Sequence, residues 1–195
     1  MKPKNIASVQ ARDENKSKLT SGLFTSRTEE WETPLYVFQT LNAEFRFQLD
    51  VCATSENAKC KVYFDKQVDG LKQDWSPFRC WMNPPYGKNI SKWMHKAYRE
   101  SQRGALVVCL IPARTDTRWW HDSAMKAAEI RFVAGRINFG GGKQSAPFPS
   151  CLAVYYPELE NPYKMAVPVI RSVRFDKTNL RLLDIQPTDD DLFRI

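Results

Sequence analysis

From Trp31 onward the chain alternates short apolar runs with segments in which apolar residues recur every three or four positions; residues 1–30 show neither pattern. Val37, Phe38, Leu41 and Phe45 follow Thr33-Pro34 at helical spacing. A hydroxyl N-cap with proline at the first helical position predicts where that helix starts. Phe47–Val51 and Lys61–Asp65 read as strands, and Cys80-Trp81-Met82 as a short apolar run. Ile90, Trp93, Met94, Ala97 and Tyr98 form a second helical stripe. Ala105–Ile111 is apolar throughout, the mark of a strand covered on both faces. The pattern then predicts a helix over 117–128 and a strand over 129–134. Arg136–Phe139, a Gly140-Gly141-Gly142 turn and Cys151–Tyr156 read as a closing antiparallel hairpin. Strands alternating with helices predict an α/β fold with an open, mostly parallel sheet and right-handed crossovers. The expected organisation is a polar, mobile arm over 1–30, one α/β domain over 31–156, and a C-terminal extension over 157–195 in which Val167–Phe175 adds a strand.

Composition adds little to that picture, and charge adds a direction. The 195 residues, 43% apolar and 26% charged, suit one domain with a real core. No run approaches the roughly 20 apolar residues of a membrane span, and Met1-Lys2-Pro3-Lys4 lacks the apolar stretch of a signal peptide. Five cysteines make no CxxC pair, and His95 and His121 form no HExxH site, so neither a disulfide framework nor a metal is expected. A reducing cytoplasm is the expected compartment. Net charge +7, with pI ≈ 9.2, favours a polyanionic partner.

The chemistry concentrates at Asn83-Pro84-Pro85-Tyr86, followed by Gly87, between the run at 80–82 and the second helical stripe. Two successive prolines remove two backbone donors and fix two φ angles, so the strand ends there and a stiff turn begins. Such a turn suits a planar amine. The Asn83 amide oxygen and the Pro84 carbonyl can each accept one N–H of an NH2 group, and the Tyr86 ring offers a face for stacking. Acids stand at or near the ends of successive strands: Asp50, then Asp65, then Asp74. In an open α/β sheet that edge is where ligands bind. Asp65 suits a pair of ligand hydroxyls and Asp74 a ligand amine, although each acid alone also fits a helix cap or a solvated turn. The small residues after Asp50 (Cys52, Ala53, Thr54) leave room for a ligand, but no glycine loop for a pyrophosphate follows.

With these residues the chain resembles the S-adenosylmethionine-dependent amino-methyltransferases that act on adenine N6 in DNA, and more narrowly the small phage-type enzymes. The resemblance runs from Trp31 to Tyr156, through Glu32-Thr33-Pro34, Leu49–Ala53, Asp69-Gly70-Leu71, Asp74-Trp75, Asn83–Gly87, Pro112–Thr117 and Ala146–Ser150. It implies a single Rossmann-like methyltransferase domain. It also implies S-adenosylmethionine as donor without a metal, with Asn83, Pro84, Pro85 and Tyr86 catalytic and Thr33, Pro34, Asp50, Cys52, Asp65, Asp74 and Asn83 around the cofactor. A target adenine would have to be flipped out of the duplex.

Double-stranded DNA is the expected partner, met by Arg114, Thr115, Arg118, Arg136 and Lys143, with Phe148 or Phe139 covering the second face of the flipped base. For a phage enzyme the compartment is the bacterial host cytoplasm. A planar amine or amide in RNA or on a protein glutamine suits the same turn. A non-catalytic DNA-binding subunit is the third reading. Target sequence and oligomeric state are not legible.

Overall fold

The computed structural model describes residues 31–140 and 144–185. The arm over 1–30 and Lys143 lie outside the described residues. Helix α1 (Leu35–Phe45) buries Val37, Phe38, Leu41 and Phe45, the stripe that the spacing predicts. It starts at Pro34 with no side-chain cap, so Thr33 is not the cap that its position suggested. Arg46, left-handed at φ 54°, ends the helix, and Asn42 Oδ1 accepts the Phe47 N–H (2.8 Å), turning the chain into the sheet.

The strands are β1 (Leu49–Asp50), β2 (Val62–Tyr63), β3 (Arg79–Met82), β4 (Leu106–Pro112), β5 (Glu129–Val133), β6 (Asn138–Phe139), β7 (Gln144–Ser145), β8 (Ser150–Tyr155), β9 (Val169–Asp176) and β10 (Arg181–Asp184). Helix α2 (Ile90–Gln102) joins β3 to β4, and α3 (Arg118–Asp122) lies between β4 and β5. Among the described residues eight strands form one sheet in the order β10-β9-β5-β8-β4-β3-β1-β2. Strands β2, β1, β3 and β4 pair in parallel. β8 is antiparallel to both β4 and β5, so β5 runs the same way as β4, and β9 follows β5 in parallel. The carboxyl ends of β1–β5 and β9 therefore share one edge. All seven residues of β4 and all six of β8 are buried, which makes this pair the centre of the core.

Two expectations change. Cys151–Tyr156 does not pair with Arg136–Phe139: β8 inserts between β4 and β5, while β6 pairs with β7 as a separate two-stranded ribbon. A fully apolar run gains more from burial on both faces of the sheet than from a surface hairpin. The helix expected over 117–128 is one short turn of α3 followed by a 3-10 turn at Ala124–Lys126. The segment after Pro157 contributes β9 and β10 to the main sheet.

The glycine missing after β1 has a counterpart further on. A Cβ on Gly70 would lie 2.1 Å from the Val51 carbonyl oxygen and 3.3 Å from the Trp93 ring. Only glycine permits that approach. Trp75, fully buried, fixes this turn by donating its indole N–H to the Gly70 carbonyl (2.8 Å).

Candidate active site

A cavity of about 420 Å³ opens at the shared edge. Loops after three strands wall it: Cys52, Ala53, Thr54, Asn57 and Lys59 after β1; Phe64, Asp65, Lys66, Asp69 and Gly70 after β2; Asn83, Pro84 and Pro85 after β3. Trp31, Glu32 and Thr33, the strap that precedes α1, close one side, and Trp93 of α2 stands on another. Seven sequence-predicted residues meet here: Thr33, Asp50, Cys52, Asp65, Asn83, Pro84 and Pro85.

The Asn83 carboxamide is held on every side. Nδ2 donates to the Trp31 carbonyl and to Thr33 Oγ1 (2.9 Å), and Oδ1 accepts from the Tyr86 hydroxyl (2.7 Å). Both amide hydrogens are thus spent, while Oδ1 keeps one lone pair. Tyr86 is 5% exposed, and burial pushes its phenol well above the ordinary range, so it stays a neutral donor. Its ring is not an open stacking face. Phe148 meets it edge-on at 5.4 Å and Phe139 at 6.3 Å, and Trp31 packs against both phenylalanines. The insertion of β8 brings Phe148 here, because its antiparallel course starts the strand at the site edge, where Pro149 accepts the Ala113 N–H (2.9 Å).

Asp50 is 3% exposed, and desolvation pushes its carboxyl up to about 6 despite N–H groups donated by Lys59 and Cys52. Lys59 also forms an ion pair with Glu32 across the cavity (3.1 Å). Asp65 Oδ1 accepts the Gln67 and Val68 N–H groups at 2.9 Å each. Burial raises the Cys52 thiol well above its ordinary value, so it stands as a neutral group and not as a nucleophile. The buried Trp31 Nε1–H has no partner among the described residues.

Asp74 is brought elsewhere. Its carboxylate accepts the Ser76 N–H (3.0 Å) and pairs with Arg103 (3.0 Å), outside the cavity. The neighbouring Trp75, held by buried Glu100 through its backbone N–H (3.0 Å), does not line the cavity either and bears on it through its hydrogen bond to Gly70. Pro34 marks the start of α1 and does not line the cavity. Arg114 and Thr115 are exposed in the turn after β4, and Arg136 is exposed after β5, on the same edge. Arg118 is exposed and pairs with Asp122 (3.2 Å). Phe148 is half-buried against Tyr86. Lining residues to which the sequence reading gave no role include Trp31, Glu32, Lys59, Asp69, Gly70 and Trp93. Of these, Gly70 carried a usable signal: a glycine five residues beyond a strand-ending acid. Among the described residues no group of three or more His, Cys, Asp or Glu is arranged to hold a metal, and no helix is long and apolar enough to cross a membrane.

Comparison with known proteins supplies an independent line. A family model described as DNA N-6-adenine-methyltransferase (Dam) matches residues 20–177. The chain is 31% identical over 112 residues to the DNA N-6-adenine-methyltransferase of Haemophilus phage HP1 (strain HP1c1), covering 56% of this chain and 65% of the relative. It is 29% identical over 105 residues to the protein of the same name from Escherichia phage T1, covering 53% of this chain and 44% of the relative. In both cases the match spans less than two thirds of the phage protein's length.

Proposed function

Since the chain belongs to the DNA N-6-adenine-methyltransferase family, we propose that it transfers the methyl group of S-adenosylmethionine to the N6 amine of an adenine flipped out of duplex DNA. The observation that carries this reading is the Asn83 carboxamide, fixed at the wall of a nucleoside-sized cavity with an acceptor lone pair to spare.

The cavity's donor set fits S-adenosylmethionine. Its aromatic rings at Trp31, Phe64 and Trp93 suit an adenine, and the carboxylates of Asp50 and Asp65 suit an ammonium and ribose hydroxyls. Lys59 suits a carboxylate, and the orphaned Trp31 N–H has need of an acceptor. When bound, the donor supplies a methyl already activated on a sulfonium. Alignment is then the protein's main task, and positioning of this kind supplies up to about 7–11 kcal/mol of barrier reduction. Asp50, ionised above about pH 6, holds negative charge in a poorly solvated wall, which favours a cationic ligand.

On the acceptor side, Asn83 Oδ1 and the Pro84 carbonyl accept the two amine hydrogens and stabilise the positive charge that develops on N6. No base is needed before attack, because the proton leaves afterwards to water. Flipping costs a few kcal/mol. An adenine reaching Asn83 takes the place of the Phe148 edge against Tyr86, and stacking worth about 1–3 kcal/mol offsets part of that cost. Duplex DNA approaches through Arg114, Thr115, Arg118 and Arg136 at the same edge. The host cytoplasm, where such DNA is found, is the expected compartment.

The test is methyl transfer from tritiated donor to duplex DNA, RNA and protein in parallel, with the DNA product digested to nucleosides. N6-methyladenine from duplex DNA is expected. N4-methylcytosine, or transfer confined to RNA or protein glutamine, would overturn the assignment.

A further inference from the structure

We infer that Thr33 is a positioning residue for methyl transfer: its hydroxyl takes the second Nδ2 hydrogen of Asn83 and so leaves the target amine facing oxygen alone. The inference rests on the proposed function and deepens it. A carboxamide presents oxygen on one side and two hydrogens on the other. An incoming NH2 group is bound if it meets the oxygen and repelled if it meets a hydrogen. Orientation therefore decides whether Asn83 works, and both hydrogens must be anchored away from the acceptor side. The Trp31 carbonyl, an acceptor with no hydrogen of its own, anchors the first. Thr33 Oγ1 at 2.9 Å anchors the second.

Three observations separate this role from a structural one. Thr33 precedes a helix that it does not cap, so its hydroxyl serves no helix end. It is 3% exposed and lies 50 residues from Asn83 in sequence, a tertiary contact aimed at that side chain. The strap itself is pinned independently: the Glu32 carbonyl accepts the Gly140 N–H (3.1 Å), and the Glu32 carboxylate pairs with Lys59 (3.1 Å). Removing the Thr33 hydroxyl therefore leaves the strap in place and strands one half-buried N–H of Asn83 without that partner.

Thr33→Val keeps the shape and removes the acceptor; Thr33→Ser keeps the acceptor and removes the methyl. For each variant, kcat and KM on duplex DNA are measured at saturating donor, and the Kd of S-adenosylhomocysteine is measured by calorimetry. Thr33→Val should lower kcat by about 10- to 100-fold, the scale of a misplaced group. KM for DNA and the Kd should stay within about threefold, and Thr33→Ser should restore the rate. Should Thr33→Val fold poorly, Thr33→Ala, which puts no methyl against Nδ2, must show the same split. An unchanged kcat overturns the inference. So does a Kd that weakens in step with the rate, which would make Thr33 a donor ligand, or a serine variant as slow as the valine one. Wild-type protein that methylates no DNA would instead overturn the proposed function.

Discussion

The two sides of Asn83 are built differently. On the side proposed for the methyl donor, three strand ends hold an open cavity with its acids and a lysine already placed. On the side proposed for the target base, Tyr86, Phe139, Phe148 and Trp31 pack against one another, edge to face or tilted, and leave Tyr86 no open face. One half is pre-organised and the other is closed. On the proposed function, donor binding costs little rearrangement, whereas base entry must displace aromatic contacts worth roughly 0.5–1.5 kcal/mol per pair. Substitutions on the two sides should therefore separate cleanly in their readouts.

The largest effect is expected where the sides meet. Asn83→Ala removes the oriented acceptor and should lower turnover by about 10²–10³-fold or more, the scale seen when one transition-state hydrogen-bonding group is lost. S-adenosylhomocysteine affinity should change by less than about tenfold. Methylation at a near-normal rate would show that the site is misassigned. A collapse of donor affinity would show that the two sides are not separable.

Asp50 tests the donor side through stability. Its folded pKa of about 6 stands above the ordinary 3.8, so between those values the folded chain keeps a proton that the unfolded chain has lost. That contribution to stability is complete below about 3.8, drains away as pH rises to about 6, and is absent at neutral pH. Asp50→Asn removes the buried charge and should stabilise the protein above pH 6 by about 1–3 kcal/mol, less whatever the Lys59 and Cys52 amides lose. Its melting temperature should also vary less between pH 4 and 6, while its donor affinity falls. A variant destabilised at pH 7.5 by thermal melting would refute a strained carboxylate kept for binding.

Lys59→Met should weaken S-adenosylhomocysteine by about tenfold yet leave 5′-methylthioadenosine, which lacks the amino-acid end, within about twofold. Equal losses on both ligands in calorimetry would place Lys59 away from the carboxylate.

The same division governs what was legible in the sequence. That Asn83, Pro84, Pro85, Asp50 and Asp65 gather at one cavity was legible because their signal is local: an apolar strand, then a residue at its end. Asp74, read from its place a short step before Asn83, misled, because a local turn to Ser76 and an ion pair with Arg103 hold it outside the cavity. Thr33 looked like a helix cap, for its true partner is 50 residues away. The closed acceptor side was illegible for a related reason. It depends on β8 joining β4 and β5 in place of Phe139's strand, a choice made by burial of a whole apolar run and not by its turn. Long-range pairing leaves no spacing to read.

The smallest expected effect lies at the rim of the acceptor side. Arg114 is exposed in the turn after β4, and its carbonyl accepts the Thr117 hydroxyl (2.7 Å) and N–H (3.1 Å), so the backbone of the turn is braced without its guanidinium. Arg114→Ala should shift stability by no more than about 0.5 kcal/mol, the usual range for an exposed position. If the guanidinium meets a phosphate, the slope of log affinity for duplex DNA against log salt should shrink by about 0.9. Donor binding should stay unchanged. Arg118→Ala is the internal control, since its guanidinium is already engaged by Asp122 and should alter the slope less. An Arg114 variant with an unaltered salt slope would move the DNA away from this edge. The closed aromatic cluster would then be ordinary core, and the contrast between the two sides of Asn83 would lose its functional meaning.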